Sequence, residues 1–234
     1  MRPATQKIAR FGLLTALALV LGLIDRAIPV SALLGGAAPG IKLGLANTVL
    51  LYAVCLMDWK SCVFLMLTKV LLSGFLFGSL TAILYSLSGG VLSLAVMLLL
   101  KNRPARGALI TAVLAAAADA YLLARTPHPS GQRLWSVILI ALASIAALAI
   151  YLLARKGIIR GIVGTSLAGA VAHNVGQVIA ASLILRTPRL LLTYLPVLVG
   201  IGAAVGMLTG IVTERVIQAL KLMPQVRKEE VGKP

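Results

Sequence analysis

The amino-acid sequence predicts an all-α fold, a polytopic membrane helix bundle that forms a single domain over residues 1–234. Apolar stretches long enough to cross a hydrocarbon core of about 30 Å fill nearly all of the chain. Hydrophobic residues make up 60% of the sequence and charged residues only 12%, well below the ~25% of a soluble domain. Because a backbone in lipid must satisfy its own hydrogen bonds, these stretches are predicted to be helices.

The order of apolar and polar segments predicts about eight transmembrane helices and their orientation. They cover approximately residues 10–28, 41–57, 61–81, 83–100, 107–124, 134–154, 161–185 and 190–213. Fifteen lysines and arginines lie at segment ends on the side of the N-terminus and six on the other side, which with Lys69 inside the membrane accounts for all 22. The positive-inside rule therefore predicts both termini in the cytoplasm.

The net charge of +16 follows membrane topology rather than nucleic-acid binding. The basic residues cluster at the ends of segments instead of along one aromatic-bearing face, so no nucleic-acid partner is predicted. Cys55 and Cys62 flank a predicted cytoplasmic turn, where reduced thiols are favoured over a bridge. Two cysteines supply no metal-binding framework, and no metal or cofactor is predicted.

Residues 102–157 differ in composition from the rest of the chain. Their two predicted spans are dominated by alanine, leucine and isoleucine, with few hydroxyl or amide side chains. This composition is typical of a lipid-facing hairpin rather than of a binding site. Asp119 is the exception, an acid deep in the fifth span.

Lys69 is the clearest candidate for a functional residue, because a lysine at the centre of a membrane helix costs roughly 2.5–3.5 kcal/mol on insertion scales. It lies near the middle of the third span, and Ser73 shares its helical face four residues later. Spans two, three, four and seven contain no acid to neutralise it. Two interpretations remain: Lys69 binds a ligand, or it reaches an interface or pairs with Asp119.

Other polar side chains are predicted to join Lys69. His173, Asn174 and Gln177 lie within five residues of the seventh span, where they either line a site or clamp neighbouring helices. Lys42 and Asn47 begin the second span, and Ser86 and Ser88 begin the fourth. Together these groups predict a cationic cavity without carboxylates, reached from the outside, which would prefer an anionic or strongly hydrogen-bonding solute. No carboxylate pair or nucleophile–base pair indicates an enzyme.

Small residues recur at a spacing of four, a pattern that allows close helix packing in lipid. They are Gly12 and Ala16, Gly74 and Gly78, and the run Gly202, Gly206 and Gly210. Packing within the bundle is the favoured interpretation, and contact with another protein is the alternative.

Four runs of this sequence resemble a known family. Pro-Gly-Ile-Lys-Leu-Gly-Leu-Ala-Asn at 39–47, Lys-Val-Leu-Leu-Ser-Gly at 69–74, Ser-Leu-Ser-Gly-Gly at 86–90 and Gly-Ala-Val-Ala-His-Asn-Val-Gly-Gln at 169–177 resemble the Gx transporter proteins. These proteins are also labelled heptaprenyl diphosphate synthase component I, and they are similar to the S components of energy-coupling-factor (ECF) transporters. The resemblance covers about residues 8–101 and 158–220.

The resemblance implies a six-helix substrate-capture subunit, from which this chain departs by the hairpin at 102–157. Such a subunit binds a small-molecule substrate from the outer face, then topples in the lipid bilayer against a coupling protein driven by two cytoplasmic ATPases. Gly12 and Ala16 would contact the coupling protein, and residues 29–40 would form a lid. The expected substrate is a small anionic or amphipathic metabolite, of the vitamin, flavin or isoprenoid-precursor class.

Two other functions stay open at this point. One is a non-catalytic membrane accessory protein of isoprenoid- or quinone-linked metabolism, which would hold a lipid-like head group without transporting it. The other is a purely structural bundle, in which the polar side chains would pair with one another.

Overall fold

The computed structural model describes residues 3–28, 44–77, 80–102, 104–125, 138, 141–142, 144–149, 151–152, 155–156 and 162–231. Within these ranges every regular element is a helix, so the predicted all-α class is confirmed. The helices with defined bounds are α1 (Pro3–Ala27), α2 (Asn47–Leu56), α3 (Trp59–Phe77), α4 (Leu80–Leu100), α5 (Pro104–Arg125), α6 (Ile162–Ile184), α7 (Arg189–Thr193) and α8 (Leu195–Val231).

Five of these helices are long and apolar enough to cross a membrane: the segments are Ile8–Ala27, Trp59–Leu76, Leu80–Leu100, Ile162–Ile184 and Leu195–Leu220. Shorter apolar helical segments occupy Asn47–Leu56 and Ala105–Ala118. The protein is therefore a multi-pass membrane protein. The loop at 126–133 lies outside the described residues, and of the predicted sixth span, 134–154, only residues 138, 141–142, 144–149 and 151–152 are described, all of them helical.

The predicted eighth span, 190–213, differs from the observed helices at both ends. The chain forms the short helix α7, turns at Tyr194 and starts α8 at Leu195. Pro196 falls in the first turn of α8, where a missing N–H costs nothing because that N–H has no partner within the helix. α8 then continues to Val231, well past the apolar segment.

α6 is the centre of the bundle and packs against α8, α4 and α5. The glycine run of α8 allows this contact, because a methyl group at Gly206 would lie 2.9 Å from the Leu167 Cα, and one at Gly210 would lie 2.8 Å from the Val163 Cα. The interpretation of this run as a packing seam within the bundle is therefore confirmed.

The hairpin at 102–157 faces lipid on only one side. Ala108, Ala112 and Ala115 of α5 are buried in a cluster that also contains Ala147 and core residues of α6 and α8. Val113 and other large apolar side chains of α5 are exposed. The alanines therefore form a face that packs closely against the bundle, while the opposite face carries the large exposed apolar side chains of a lipid-facing segment.

Candidate substrate-binding pocket

A small polar pocket of about 40 Å³ lies between helices on the side of the bundle that contains the beginning of α2. Its walls come from α1, the start of α2, α3, α4 and α6. The described residues that line it are Ala18, Gly22, Asp25, Gly44, Ala46, Asn47, Lys69, Val70, Ser73, Ser86 and His173. Five of the predicted site residues, from four helices, are therefore brought together.

Lys69 and Asn47 form the best-defined contact in the pocket. The Lys69 ammonium donates a 2.8 Å hydrogen bond to the Asn47 Oδ1 atom, and the two side chains are only 7% and 5% exposed. The other amide atom, Asn47 Nδ2, has no acceptor among the described residues. A buried donor without an acceptor costs roughly 1–3 kcal/mol, so this atom is a candidate contact for a bound molecule.

Asp25 is the pocket residue that the sequence analysis missed. Its Oδ2 atom accepts hydrogen bonds from the backbone N–H groups of Gly44, at 2.8 Å, and Leu45, at 3.1 Å. A carboxylate is favourable at the beginning of α2, where backbone N–H groups point outward and the helix dipole is positive. The prediction of a pocket without carboxylates is therefore wrong: Asp25 and Lys69 bring charges of opposite sign to the same pocket.

The chemical signal for Asp25 was present in the sequence. It is an acid inside the first predicted span, next to Arg26 and close to Pro29, a position typical of the polar end of a helix. In the structure it is 2% exposed. Only the approach of residues 44 and 45, about 20 positions along the chain, gives this carboxylate its place in the site.

His173 reaches the pocket through a gap left by two glycines. Gly44 has a φ of +86°, and a methyl group there would lie 2.9 Å from the His173 Cδ2 atom. At Gly89 of α4 a methyl group would lie 2.8 Å from His173 Nδ1. The imidazole thus fits between two backbone segments that lack side chains.

Three other predicted site residues, Ser88, Asn174 and Gln177, do not line the pocket. Ser88 donates a 2.8 Å hydrogen bond to the Gly176 carbonyl, and Asn174 Nδ2 donates one of 2.7 Å to the Leu198 carbonyl on α8. Gln177 is fully buried and is not among the lining residues. Successive helical residues are rotated by about 100°, so Asn174 points to α8 while His173 points to the pocket. Lys42 lies outside the described residues.

Metal binding has no geometric support in the described part of the chain. No three histidine, cysteine, aspartate or glutamate side chains cluster there in a way that could hold a metal ion.

The fold and the pocket define the class of this protein: a multi-pass helical membrane protein with a buried polar pocket. The family model described as heptaprenyl diphosphate synthase component I matches residues 14–123 and 129–216. The chain therefore belongs to this family, and the family resemblance predicted from the sequence is confirmed. The match also includes residues 102–123 and 129–157, which lie outside the range of the resemblance seen in the sequence. Neither the curated proteins nor the solved structures contain a match.

Proposed function

We propose that this protein is the substrate-binding subunit of an ECF-type transporter, which captures a small anionic or amphipathic metabolite from the outer face of the membrane. The membrane is the cytoplasmic membrane of a prokaryote, and both termini lie in the cytoplasm. The observation that carries this proposal is the convergence of polar side chains on one pocket: Asp25, Asn47, Lys69, Ser73, Ser86 and His173.

The cost of burying these groups supports a binding role. Polar groups placed away from water lose several kcal/mol of solvation unless they find partners. A purely structural bundle would satisfy them internally, yet Asn47 Nδ2 finds no acceptor among the residues that the structure describes. A ligand oxygen at this position would satisfy the amide.

The proposed role is binding without catalysis. Asp25 is the only carboxylate among the described residues that line the pocket, and it already accepts two backbone hydrogen bonds. General acid–base chemistry uses a group that is able to exchange protons with the substrate, and diphosphate chemistry commonly uses carboxylate-bound magnesium. A single carboxylate committed to the start of α2 suits neither role.

The outer face of α1 suits the proposed contact with a coupling protein. Gly12 and Ala16 are exposed, and a methyl group at Gly12 would have no atom within 4 Å. At about 100° per residue, both lie on the side of α1 away from Asp25. A partner helix could approach this face closely without touching the pocket.

We expect Gly12→Trp to abolish uptake that depends on a coupling module while leaving ligand binding unchanged. The indole would keep a partner helix away from a face that needs small residues. The matched control is Leu99→Trp, because Leu99 is also highly exposed but lies on α4. Uptake of the labelled ligand into cells, measured beside binding to the purified variants, checks this prediction. Equal loss of uptake in both variants would argue against a coupling face at Gly12.

The proposed function is tested by native mass spectrometry of the purified protein, followed by uptake of the compound that co-purifies. We expect one small molecule bound per chain, and uptake of its radiolabelled form only in cells that also express a coupling protein and its two ATPases. Binding without uptake would contradict transport. Absence of any co-purified molecule, together with thermal stability that no candidate metabolite raises, would contradict the binding role.

The family description supports a second candidate, since it names a component of a prenyl diphosphate synthase. Under this hypothesis the protein is a non-catalytic membrane accessory that holds a lipid-like head group for isoprenoid- or quinone-linked metabolism. Co-purification of such a lipid without module-dependent uptake would favour it.

A further inference from the structure

A long apolar groove lies beside the polar pocket. It has a volume of about 480 Å³, within the range of roughly 300–1,000 Å³ that is typical of ligand sites. Its lining comes from α1, from the segment that begins α2 and from α8: Leu13, Leu14, Leu17, Leu21, Leu45, Thr48, Val49, Tyr52, Leu208, Thr209, Val212, Thr213, Val216 and Leu220.

The groove is open at the surface of the helix bundle, between α1 and α8. Within the described ranges α1 contacts only α2 and α3, so α1 and α8 form two walls that do not meet. Large side chains on both walls, including Leu17 and Leu208, are exposed. Leu13 to Leu21 spans about 12 Å of α1 and Leu208 to Leu220 about 18 Å of α8 at 1.5 Å per residue. One leaflet of a 30 Å hydrocarbon core is about 15 Å deep.

The threonine hydroxyls on the groove wall are already bonded to the protein. Thr48 Oγ1 donates a 2.7 Å hydrogen bond to the Leu45 carbonyl, and Thr213 Oγ1 donates one of 2.8 Å to the Thr209 carbonyl. The Thr209 hydroxyl is bonded to that of Ser166 at 2.9 Å. These side chains have no need of a polar occupant, so the groove suits a hydrocarbon chain.

The groove and the polar pocket are neighbours along the same two elements. On α1, Leu14 and Leu21 line the groove while Ala18 and Asp25 line the pocket, and these pairs lie on adjoining faces. At the start of α2, Thr48 lines the groove and Asn47, the next residue back, lines the pocket. A single molecule could therefore occupy both spaces.

The two volumes differ by an order of magnitude. The pocket, at about 40 Å³, has room for only one or a few water-sized groups, since a water occupies about 30 Å³ in the liquid. Most of a ligand must therefore lie elsewhere, and the groove is adjacent. Asn47 Nδ2, buried and without an acceptor in the described chain, calls for an oxygen atom on the part that enters the pocket.

We infer that the ligand is a single-chain amphiphile, with a small hydrogen-bond-accepting head in the polar pocket and a linear apolar chain in the groove between α1 and α8. This inference rests on the proposed function and names its substrate class.

The test uses the purified protein in lipid nanodiscs with dodecyl phosphate at a fixed mole fraction, and native mass spectrometry as the readout. We expect Val212→Trp to lower the apparent affinity for dodecyl phosphate by about tenfold, equivalent to ~1.4 kcal/mol, because the indole fills the groove. The control is Ile211→Trp, since Ile211 and Val212 are each 46% exposed but Ile211 does not line the groove. Asn47→Leu is expected to lower the affinity as well.

The possible outcomes separate this inference from the proposed function. Equal binding by the Val212→Trp and Ile211→Trp variants, with binding still lost in Asn47→Leu, would overturn the groove and leave the pocket function intact. Loss of binding in Val212→Trp together with normal binding by Asn47→Leu would overturn both the inference and the proposed role of the pocket.

A second amphiphile serves as a ligand control. Dodecyltrimethylammonium, whose head group has no hydrogen-bond acceptor, should not bind. If it binds as well as dodecyl phosphate, the groove holds ordinary boundary lipid and the inference fails. The same spectra report the oligomeric state. A wild-type dimer that carries no amphiphile, and that dissociates in the Val212→Trp variant but not in Ile211→Trp, would also overturn the inference, because a second copy of the chain would then fill the groove.

Discussion

Lys69→Met is expected to weaken ligand binding by roughly 10- to 100-fold, because a hydrogen bond to a charged group is worth about 1.5–3 kcal/mol and each ~1.4 kcal/mol is a factor of ten. Lys69 is buried in the pocket and holds the Asn47 amide through its Oδ1 atom. Methionine keeps most of the length of the side chain but removes its charge. The measurement is titration of the compound that co-purifies with the wild type, or of dodecyl phosphate, against protein in nanodiscs.

The single variant also affects stability, so the double variant Lys69→Met/Asn47→Leu is the control. Removing Lys69 alone leaves the Asn47 carbonyl oxygen without this donor, which costs about 1–3 kcal/mol for a buried group. Replacing both partners by apolar side chains removes that penalty, so the double variant should recover part of the lost melting temperature. Its ligand affinity should stay low. Recovery of stability and of affinity together would identify the pair as a structural clamp rather than a binding site.

Gly176→Ala is expected to lower the free energy of unfolding by about 1–3 kcal/mol, the usual cost of overpacking. α4 and α6 cross here with their backbones in close contact, and a methyl group at Gly176 would lie 2.7 Å from the Ser88 carbonyl oxygen and 2.9 Å from the Gly89 Cα. Backbone atoms cannot move away as a flexible side chain can. The same crossing aligns His173 with the pocket, so ligand affinity should fall as well.

The matched control for Gly176→Ala is Gly12→Ala. Both glycines are in long helices, but nothing lies within 4 Å of a methyl group at Gly12, and alanine is favoured over glycine in a helix by up to about 1 kcal/mol. The Gly12→Ala variant should be as stable as the wild type or more so. Thermal unfolding in detergent measures both. A melting temperature of Gly176→Ala equal to or higher than that of Gly12→Ala would contradict the close crossing of α4 and α6.

The polar residues show how far the sequence could go toward the site. Lys69, Asn47 and His173 were identified because charged, amide and imidazole groups are costly in hydrocarbon and must have a reason to be there. The same rule could not separate His173 from Asn174, because burial is costly for both side chains. The 100° rotation between them sends one to the pocket and the other to the Leu198 carbonyl. Which of the two side chains enters the pocket therefore depends on how α4, α6 and α8 pack around it.

The apolar runs were enough to predict a bundle of membrane helices, since they leave the backbone no other way to satisfy its hydrogen bonds in lipid. Local runs of residues were enough to predict the family as well. Three features emerge only when the helices pack: Asp25 shares a pocket with Lys69, the alanines of α5 face the core, and α1 and α8 leave a groove between them. These features depend on contacts between segments far apart in the chain, and hydropathy records only how apolar a residue is, not which neighbour it meets.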